Sequence, residues 1–324
     1  MSVTLNQIKA PIENELEIFE KKFRDNMKSK VALLDVIMNY IVKRKGKQMR
    51  PILVLLSSFI FGKINDKTYR GAALVELLHT ATLVHDDVVD VSYTRRGFFS
   101  INALWKNKIA VLVGDYLLSK GLLLALKSGD FDLLTILSEA VEAMSEGELT
   151  QIEKARKLDI TEEIYFDIIT KKTASLFASC CAIGAASVGA DYINIEKMKN
   201  FGLFAGIAFQ IKDDLFDYGN GDIGKPTSID IKERKMTLPL IYSLNNSDRV
   251  SKRKVMSIIK NNSKNKSEIN YVLDFVNNIG GIEYSISKMN EFKNKAIEEL
   301  NSLALPDKTQ YLKYLVEFVV ERKL

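Results

Sequence analysis

The sequence predicts an all-α fold, a single-domain helical bundle spanning residues 1–324. Three observations carry that prediction. The 324 residues are 47% hydrophobic, enough apolar surface to offset the entropy of ordering the chain. Only 5 prolines and 17 glycines interrupt them, roughly 1.5% and 5% where average proteins carry about 5% and 7%. Apolar residues recur at three- and four-residue steps, with no alternating strand pattern between helices and no GxGxxG after a strand. A doubly wound nucleotide-binding fold is thereby excluded.

Taken in order, Leu16, Phe19, Phe23 and Met27 mark a first helix, and Leu33, Leu34, Ile37, Ile41 and Val42 a second. Further helices are predicted over 49–61, 67–91, 108–127 and 130–154, two within 161–188, and one over 194–219. The tail, 235–322, carries four more, broken at Gly280-Gly281 and Pro306. No Gly/Ser/Pro-rich linker and no 20–50-residue repeat divides the chain. Two stretches of unusual polarity interrupt the helices, 92–100 and 219–234. Each follows an acidic cluster, and loops on a rigid scaffold are where function concentrates.

Composition narrows the function classes. The net charge of +5 mildly favours anionic ligands or headgroups. No zinc spacing, aromatic-basic array or basic block points to nucleic acid. The two cysteines, adjacent at Cys180 and Cys181, cannot build a disulfide framework, so a cytoplasmic protein is expected. Glu13, Glu15, Glu17 and Glu20 break any secretory leader. The most apolar stretches, 51–62 and 176–190, fall short of the ~18 residues of a membrane span, so none is expected.

The strongest signal is a pattern that occurs twice: Asp86-Asp87-x-x-Asp90 and Asp213-Asp214-x-x-Asp217. On a helix at ~100° per residue, Asp86 and Asp90 lie about 40° apart, and Asp87 about 60° beyond Asp90. Like charges at this spacing destabilise a helix, and here they sit among Leu83, Val84, Val88 and Val89, which raises the cost unless a cation compensates. Hard carboxylate oxygens without His or thiolate partners suit Mg²⁺, which keeps several waters and is shared between one or two carboxylates and substrate phosphates. Two such patches facing one another would hold several ions around a diphosphate. The bland alternative, two solvated acidic helix ends, is weakened because a cationic loop follows each cluster. Lys47, Arg50, Arg95, Arg96, Lys171 and Lys172 supply phosphate partners in separate segments, Arg as planar forks. His79 sits seven residues before Asp86, about 20° away around the helix. His85-Asp86 resembles part of the HD set of metal phosphohydrolases, but no distant first histidine accompanies it.

The set Lys47-x-x-Arg50-Pro51, Glu76-Leu77-Leu78-His79, Asp86-Asp87-x-x-Asp90, Arg95-Arg96-Gly97, Gly114-Asp115, Lys172-Thr173, Phe209-Gln210-x-x-Asp213-Asp214-x-x-Asp217 and Gly224-Lys225 resembles the trans-isoprenyl diphosphate synthases, and within them the polyprenyl (octaprenyl-type) synthases. The resemblance runs in order over 47–239. It implies an all-α isoprenoid synthase bundle around a deep central cavity, a homodimer, and a role in isoprenoid biosynthesis. By the resemblance Asp86 and Asp90 match Mg²⁺ ligands of the first motif, with Asp87 supporting them, and Asp213, Asp214 and Asp217 match the second motif, Asp213 as its direct ligand, about three ions binding per site with substrate. Lys47, Arg50, His79 and Arg96 match residues that hold isopentenyl diphosphate. Arg95, Lys172, Thr173, Gln210, Lys225 and Lys235 match those that hold the allylic diphosphate. The family's GGKRxRP reads Lys45-Gly46-Lys47-Gln48-Met49-Arg50-Pro51 here, so the first Gly and one Arg are replaced.

The implied reaction is an ionisation, condensation and elimination, with Arg95 and Lys172 helping the metals stabilise the departing diphosphate. No protein nucleophile is required. Short-chain members carry a bulky aromatic four or five residues before the first Asp, where this chain has Thr82 and Ala81. Thr82 shares the face of Asp86, so an open path and a product of roughly C30 to C45, octaprenyl favoured, are expected; Leu78, Leu126 and Leu137 are candidate floor residues. Farnesyl or geranylgeranyl diphosphate is the expected primer. The alternatives are a shorter-chain farnesyl or geranylgeranyl synthase, a non-catalytic partner subunit, and a class I terpene cyclase, whose second metal motif would mix Asn, Ser/Thr and Glu. Peripheral membrane contact during product release stays open.

Overall fold

The computed structural model describes residues 4–44, 46, 48–95, 97–219, 229–262 and 265–321, with backbone alone at positions 95, 229 and 262. The all-α expectation holds. The helices are α1 (Leu5–Lys9), α2 (Glu13–Asn26), α3 (Ala32–Lys43), α4 (Met49–Phe61), α5 (Asp66–Val89), α6 (Ile101–Ser128), α7 (Phe131–Lys157), α8 (Glu162–Ile169), α9 (Ser175–Ser187), α10 (Tyr192–Phe216), α11 (Ile229–Lys232), α12 (Leu238–Asn245), α13 (Arg249–Ser257), α14 (Lys266–Ile279), α15 (Gly281–Asn301) and α16 (Pro306–Val320). A one-turn π segment, Thr170–Ala174, joins α8 to α9, so the two helices expected within 161–188 are continuous. A second π segment, Ile258–Asn262, follows α13. The tail holds five helices after the short α11, one more than predicted.

Two compact units make up the chain. One comprises Asn6–Ser138 and Ser179–Lys199; the other comprises Met1–Leu5, Glu139–Ala178 and Asn200–Leu324.

In the first unit, α5 opens on a capping box: the Asn65 side chain accepts from Lys67 N at 2.9 Å and Thr68 N at 3.2 Å, which satisfies donors that the first turn leaves orphaned. The helix then buries Leu74, Leu77, Leu78, Ala81 and Val84. Helix α6 contributes Val113 and Leu117 to the same core, with Met27, Ile37 and Met38. A Cβ on Gly114 would collide with the His85 ring, so glycine is what lets α5 and α6 approach at that level. Helix α4 is almost wholly buried from Pro51 to Ser58.

A feature absent from the sequence reading follows α5. Strands β1 (Thr94–Arg95) and β2 (Phe98–Phe99) pair antiparallel, Thr94 against Phe99 and Arg95 against Phe98, and the turn uses Gly97 at φ 78°, where glycine carries no steric cost. Helix α6 also begins earlier than predicted, at Ile101, across a kink at Lys106.

The expectation of no membrane-length apolar helix needs correction for α6, which is long and apolar enough by length and composition to cross a membrane. Asp115 and Lys120 interrupt its apolar run and hid its average from a search for unbroken stretches. One face of α6 is buried in the unit's core. Leu104, Val111, Leu112, Leu123 and Leu126 on the remainder are exposed.

In the second unit, Thr161 caps α8 through Ile164 N at 3.3 Å. Gly280, at φ 85°, ends α14. A Cβ on Gly281 would strike the Pro239 carbonyl, so α15 packs hard against α12. Pro306 sits at the start of α16, where its missing N–H costs nothing.

Candidate active site

The first aspartate motif occupies the last turn of α5. Asp86 and Asp90 are exposed, and Asp87 is buried. The turn is locked through the backbone: Asp90 N donates to Asp86 O at 2.8 Å, and Asp87 O accepts from Ser92 N at 2.9 Å and Asn102 Nδ2 at 3.0 Å. Val91 leaves the helix at φ 52°.

A cavity of about 140 Å³ lies beside this turn. It is lined by His79, Thr80, Leu83 and Asp87 of α5, by Glu76, and by Gly46 and Gln48 of the basic loop. Its mouth carries an arrangement the sequence reading missed. The Arg44 guanidinium stacks over the Tyr40 ring at 3.7 Å and the Phe98 ring at 4.4 Å and donates to the Tyr40 hydroxyl. Tyr40 Oη in turn donates to Phe99 O at 2.6 Å. A cation held between two aromatic faces thus ties the β-hairpin to α3. The signal was available: Tyr40 and Arg44 stand i,i+4 on one helix face.

Arg50 is half-buried on α4 and does not line this cavity. Its charge reaches Cys180, whose thiol burial pushes well above the usual range despite Arg50. Lys47 and Arg96 lie outside the described residues, as does Lys225 further along, and only the backbone of Arg95 is described. His85 faces α6, its Nε2 3.4 Å from Asp115 Oδ1 and 3.3 Å from Val111 O. Ala81 and Leu78 are buried in the unit's core, as is Leu137. Thr82 donates its hydroxyl to His79 O at 2.9 Å. Leu126 is 47% exposed on the outside of α6, which places it away from any interior floor: its spacing from Gly121 and Ala125, both buried, turns it outward.

The second aspartate motif ends α10. Here five predicted residues, Lys172, Thr173, Gln210, Asp214 and Lys235, line one cavity of about 120 Å³, with Gln151, Tyr165 and Asp230. A chain of hydrogen bonds organises it. Thr173 Oγ1 donates to Gln210 Oε1 at 2.7 Å, and Gln210 Nε2 donates to Asp214 Oδ1 at 2.7 Å. The other Asp214 oxygen accepts from Tyr165 Oη at 2.8 Å. Burial pushes the Asp214 carboxyl up to about 7, and the Asp230 charge adds to this, while the bonds from Tyr165 and Gln210 pull it back. Asp214 is therefore turned into protein. Asp213 is half-buried on the same helix, and Asp217 Oδ2 accepts from Asp230 N at 3.0 Å.

The cations come from the π segment. Lys172 pairs with Glu148 and donates to Gln151 Oε1 at 3.1 Å. Lys171 points elsewhere, to Asp167 at 3.4 Å and Glu146 at 3.5 Å. A Cβ on Gly147 would lie 2.9 Å from both Lys171 Cβ and Lys172 N, so glycine lets α7 lie directly against the turn that aims Lys172. Lys235 reaches Glu233 at 2.6 Å and Asp230 at 3.6 Å. Tyr165 and Gln151 are site residues that sequence reasoning missed, and Asp230 was marked only as part of the polar stretch 219–234. Tyr165 is joined to Asp214 across 49 residues and had no local signature.

Among the described residues, no three His, Cys, Asp or Glu side chains gather as a metal cage. The donor set nonetheless fits Mg²⁺. Asp86 and Asp90 present exposed carboxylates one turn apart without imidazole or thiolate, and an ion that retains waters and takes substrate phosphates needs only one or two such ligands.

Comparison with known proteins agrees. The sequence profile of the family "Polyprenyl synthetase" matches residues 31–276. An all-trans-nonaprenyl-diphosphate synthase (geranyl-diphosphate specific) of Rhodobacter capsulatus is 34% identical over 326 residues, 99% of either chain. A geranylgeranyl diphosphate synthase of Saccharolobus solfataricus is 31% identical, covering 93% of this chain and 94% of its own. The crystal structure of a Caulobacter crescentus polyprenyl synthase, complexed with calcium and isoprenyl diphosphate, superposes with a TM-score of 0.91 at 30% identity, covering 100% of this chain and 99% of that one. The chain belongs to the polyprenyl synthetase family, the prenyltransferases that make trans-prenyl diphosphates.

Proposed function

We propose that this chain, acting as one synthase domain, condenses isopentenyl diphosphate with an allylic diphosphate, farnesyl or geranylgeranyl, to give an all-trans polyprenyl diphosphate of roughly C30 to C45, octaprenyl favoured. The reading of product length rests on Ala81 and Thr82, small residues one turn before Asp86 on its helix. The observation that carries the reaction is the cavity where Lys172, Thr173, Gln210 and Lys235 converge beside the second aspartate motif. Lys172 and Lys235 hold the allylic diphosphate by charge, and Thr173 and Gln210 fix the inner rank that orients Asp214. His79, which lines the cavity beside the first aspartate motif, is assigned to isopentenyl diphosphate, and Arg50, half-buried outside that cavity, keeps this role only from the resemblance. Bound Mg²⁺, with Asp86, Asp90 and Asp213 as ligands, supplies electrostatic stabilisation of the departing diphosphate. Apolar side chains such as Leu83 and Val84 keep water from the carbocation. The proton lost at the end goes to the released diphosphate.

The nonaprenyl relative supports a long product. The geranylgeranyl relative supports the alternative of a short one. A homodimer is the assembly we favour, because the exposed apolar residues of α6 form a stripe that a second copy can cover. A cytoplasmic location and no nucleic-acid partner complete the reading.

The test is mass spectrometry of the product made by the purified chain alone from farnesyl and isopentenyl diphosphates with Mg²⁺. Asp86→Ala should abolish condensation. Turnover retained in that variant would refute the metal assignment, and a C20 product in the wild type would refute the length.

A further inference from the structure

A second concave surface in the unit that carries the Asp213 motif has no part in the reaction above. It is a cleft of about 670 Å³ walled by three segments: the C-terminal end of α7, the turn after α11, and α13 with its π extension. Seven cations line it, Lys157 and six others: Arg156, Arg234, Arg249, Lys252, Arg253 and Lys260. Among the described residues no carboxylate lines it.

The concentration is built, since Arg249, Lys252 and Arg253 of α13 fall at steps that place them on one face, and Lys260 of the π extension lines the cleft with them. Arg249 and Arg253 stand i,i+4, a spacing at which like charges repel and weaken a helix. None of the six forms an ion pair with a described carboxylate. The carboxylate next in sequence, Asp248, is spent on the α13 N-terminus, accepting from Val250 N at 2.8 Å and Ser251 N at 3.0 Å. Lys254 lies off this face, over the Tyr271 ring at 3.7 Å, and Lys157, the seventh lining cation, is paired with Glu153 at 2.6 Å. Among the described residues, six of the seven lining cations thus have no carboxylate partner, while Lys157 is paired.

Two backbone positions in its wall, Leu158 at φ 54° and Arg234 at φ 59°, adopt the left-handed conformation that residues with a Cβ seldom take. Such strain collects at functional sites. At Arg234 it turns the chain so that this residue faces the cleft while Lys235, next along, lines the diphosphate cavity. Ala155 borders both.

We propose that this cleft is a second anion site, binding clustered phosphoryl oxygens of the diphosphate class beside the Lys172–Lys235 cavity and separately from it. Three guanidinium groups from different segments can fork onto neighbouring phosphate oxygens, a geometry that suits a compact polyanion. The oxygens come either from a soluble diphosphate or from an anionic lipid headgroup. The cleft's chemistry does not depend on the reaction assigned above.

The full-length protein is titrated calorimetrically with inorganic pyrophosphate in EDTA at near-physiological salt, where long-range effects of exposed charge are screened. The expected result is a site that weakens at least about tenfold in Arg249→Gln/Arg253→Gln and persists in Lys172→Gln/Lys235→Gln. In parallel, both variants are co-sedimented with phosphatidylcholine vesicles with and without phosphatidylglycerol. Loss of vesicle binding in the cleft variant, with pyrophosphate binding intact, assigns the oxygens to a headgroup. If the cleft variant matches wild type in both arms, the proposal is overturned. A Lys172→Gln/Lys235→Gln variant that turns over the allylic diphosphate in Mg²⁺ like wild type would count against the catalytic reading and leave the cleft standing. A second variant, Lys252→Gln/Lys260→Gln, should repeat the loss with an unchanged melting temperature, which separates binding from folding.

Discussion

Removing one hydroxyl tests the inner rank of the site. Tyr165→Phe deletes the 2.8 Å hydrogen bond to Asp214 Oδ2 and nothing else, since the ring is buried and keeps its edge contact with Phe166. A hydrogen bond to a charged partner is worth about 1.5–3 kcal/mol, and a buried acceptor left short adds to that cost. Unfolding entropy of about 2.1 cal/mol/K per residue over 324 residues amounts to about 0.7 kcal/mol/K, so a loss near 2 kcal/mol lowers the melting temperature by about 3 °C. A matched control exists in Tyr218→Phe, which removes a 2.7 Å bond to Thr237 between neutral groups, worth about 1 kcal/mol. Calorimetric melting of both variants in EDTA should show Tyr165→Phe losing roughly twice as much as Tyr218→Phe. The deletion also takes away one of the bonds that hold the Asp214 carboxyl down, so its pKa should rise above about 7. Carbon-13 labelling of the aspartates reads that directly. Equal losses in the two variants, or an unmoved Asp214, would refute the claim that Tyr165 acts on a partly ionised carboxylate.

Other predictions follow from the same geometry. Gly147→Val forces the π segment away from α7, because even its Cβ meets Lys172 N at 2.9 Å; KM for the allylic diphosphate should rise about tenfold with helicity retained, and unchanged kinetics would show that the contact does not aim Lys172. Arg44→Ala removes the cation between Tyr40 and Phe98 and should cost about 1–2 kcal/mol, read as a lower melting temperature and faster proteolysis at the hairpin. Thr82→Phe should shorten the product, read by mass spectrometry; an unaltered chain length would refute the path along α5. Gly114→Leu drives a side chain into His85 and should destabilise the first unit by about 1–3 kcal/mol, measured by denaturant melting.

Much of this was readable from residue order because helices announce themselves over many residues. The boundaries of α4 coincide with those predicted, and α5 and α7 differ by a few residues, since Asn65 and Gly129 punctuate their ends. The β-hairpin was not readable. Two residues per strand carry no alternation, and Arg95-Arg96-Gly97 looked like loop. The start of α6 was hidden by Lys106, Asn107 and Lys108, polar residues at and just after the kink. At the site, the repeated DDxxD pattern exposed the aspartates, and Lys172, Thr173 and Gln210 were legible through the family resemblance. Tyr165 and Gln151 act through side chains that meet partners 49 and 21 positions away, and such pairings leave no mark on local spacing.

The π segment at Thr170–Ala174 gives this rod a slack that regular winding lacks. Its one wide turn takes up a residue more than an ordinary turn would. Losing one residue ahead of Ala174 would let the rod rewind as plain α-helix with its downstream face nearly kept, so Ala174 and Phe177 would stay against Gly206 and Gly202, whose bare backbones they touch. A deletion in the regular turns of α8 or α9 has no such reserve and would rotate everything downstream by about 100°. Single-residue gaps among related chains should therefore gather at this bulge and spare the turns on either side.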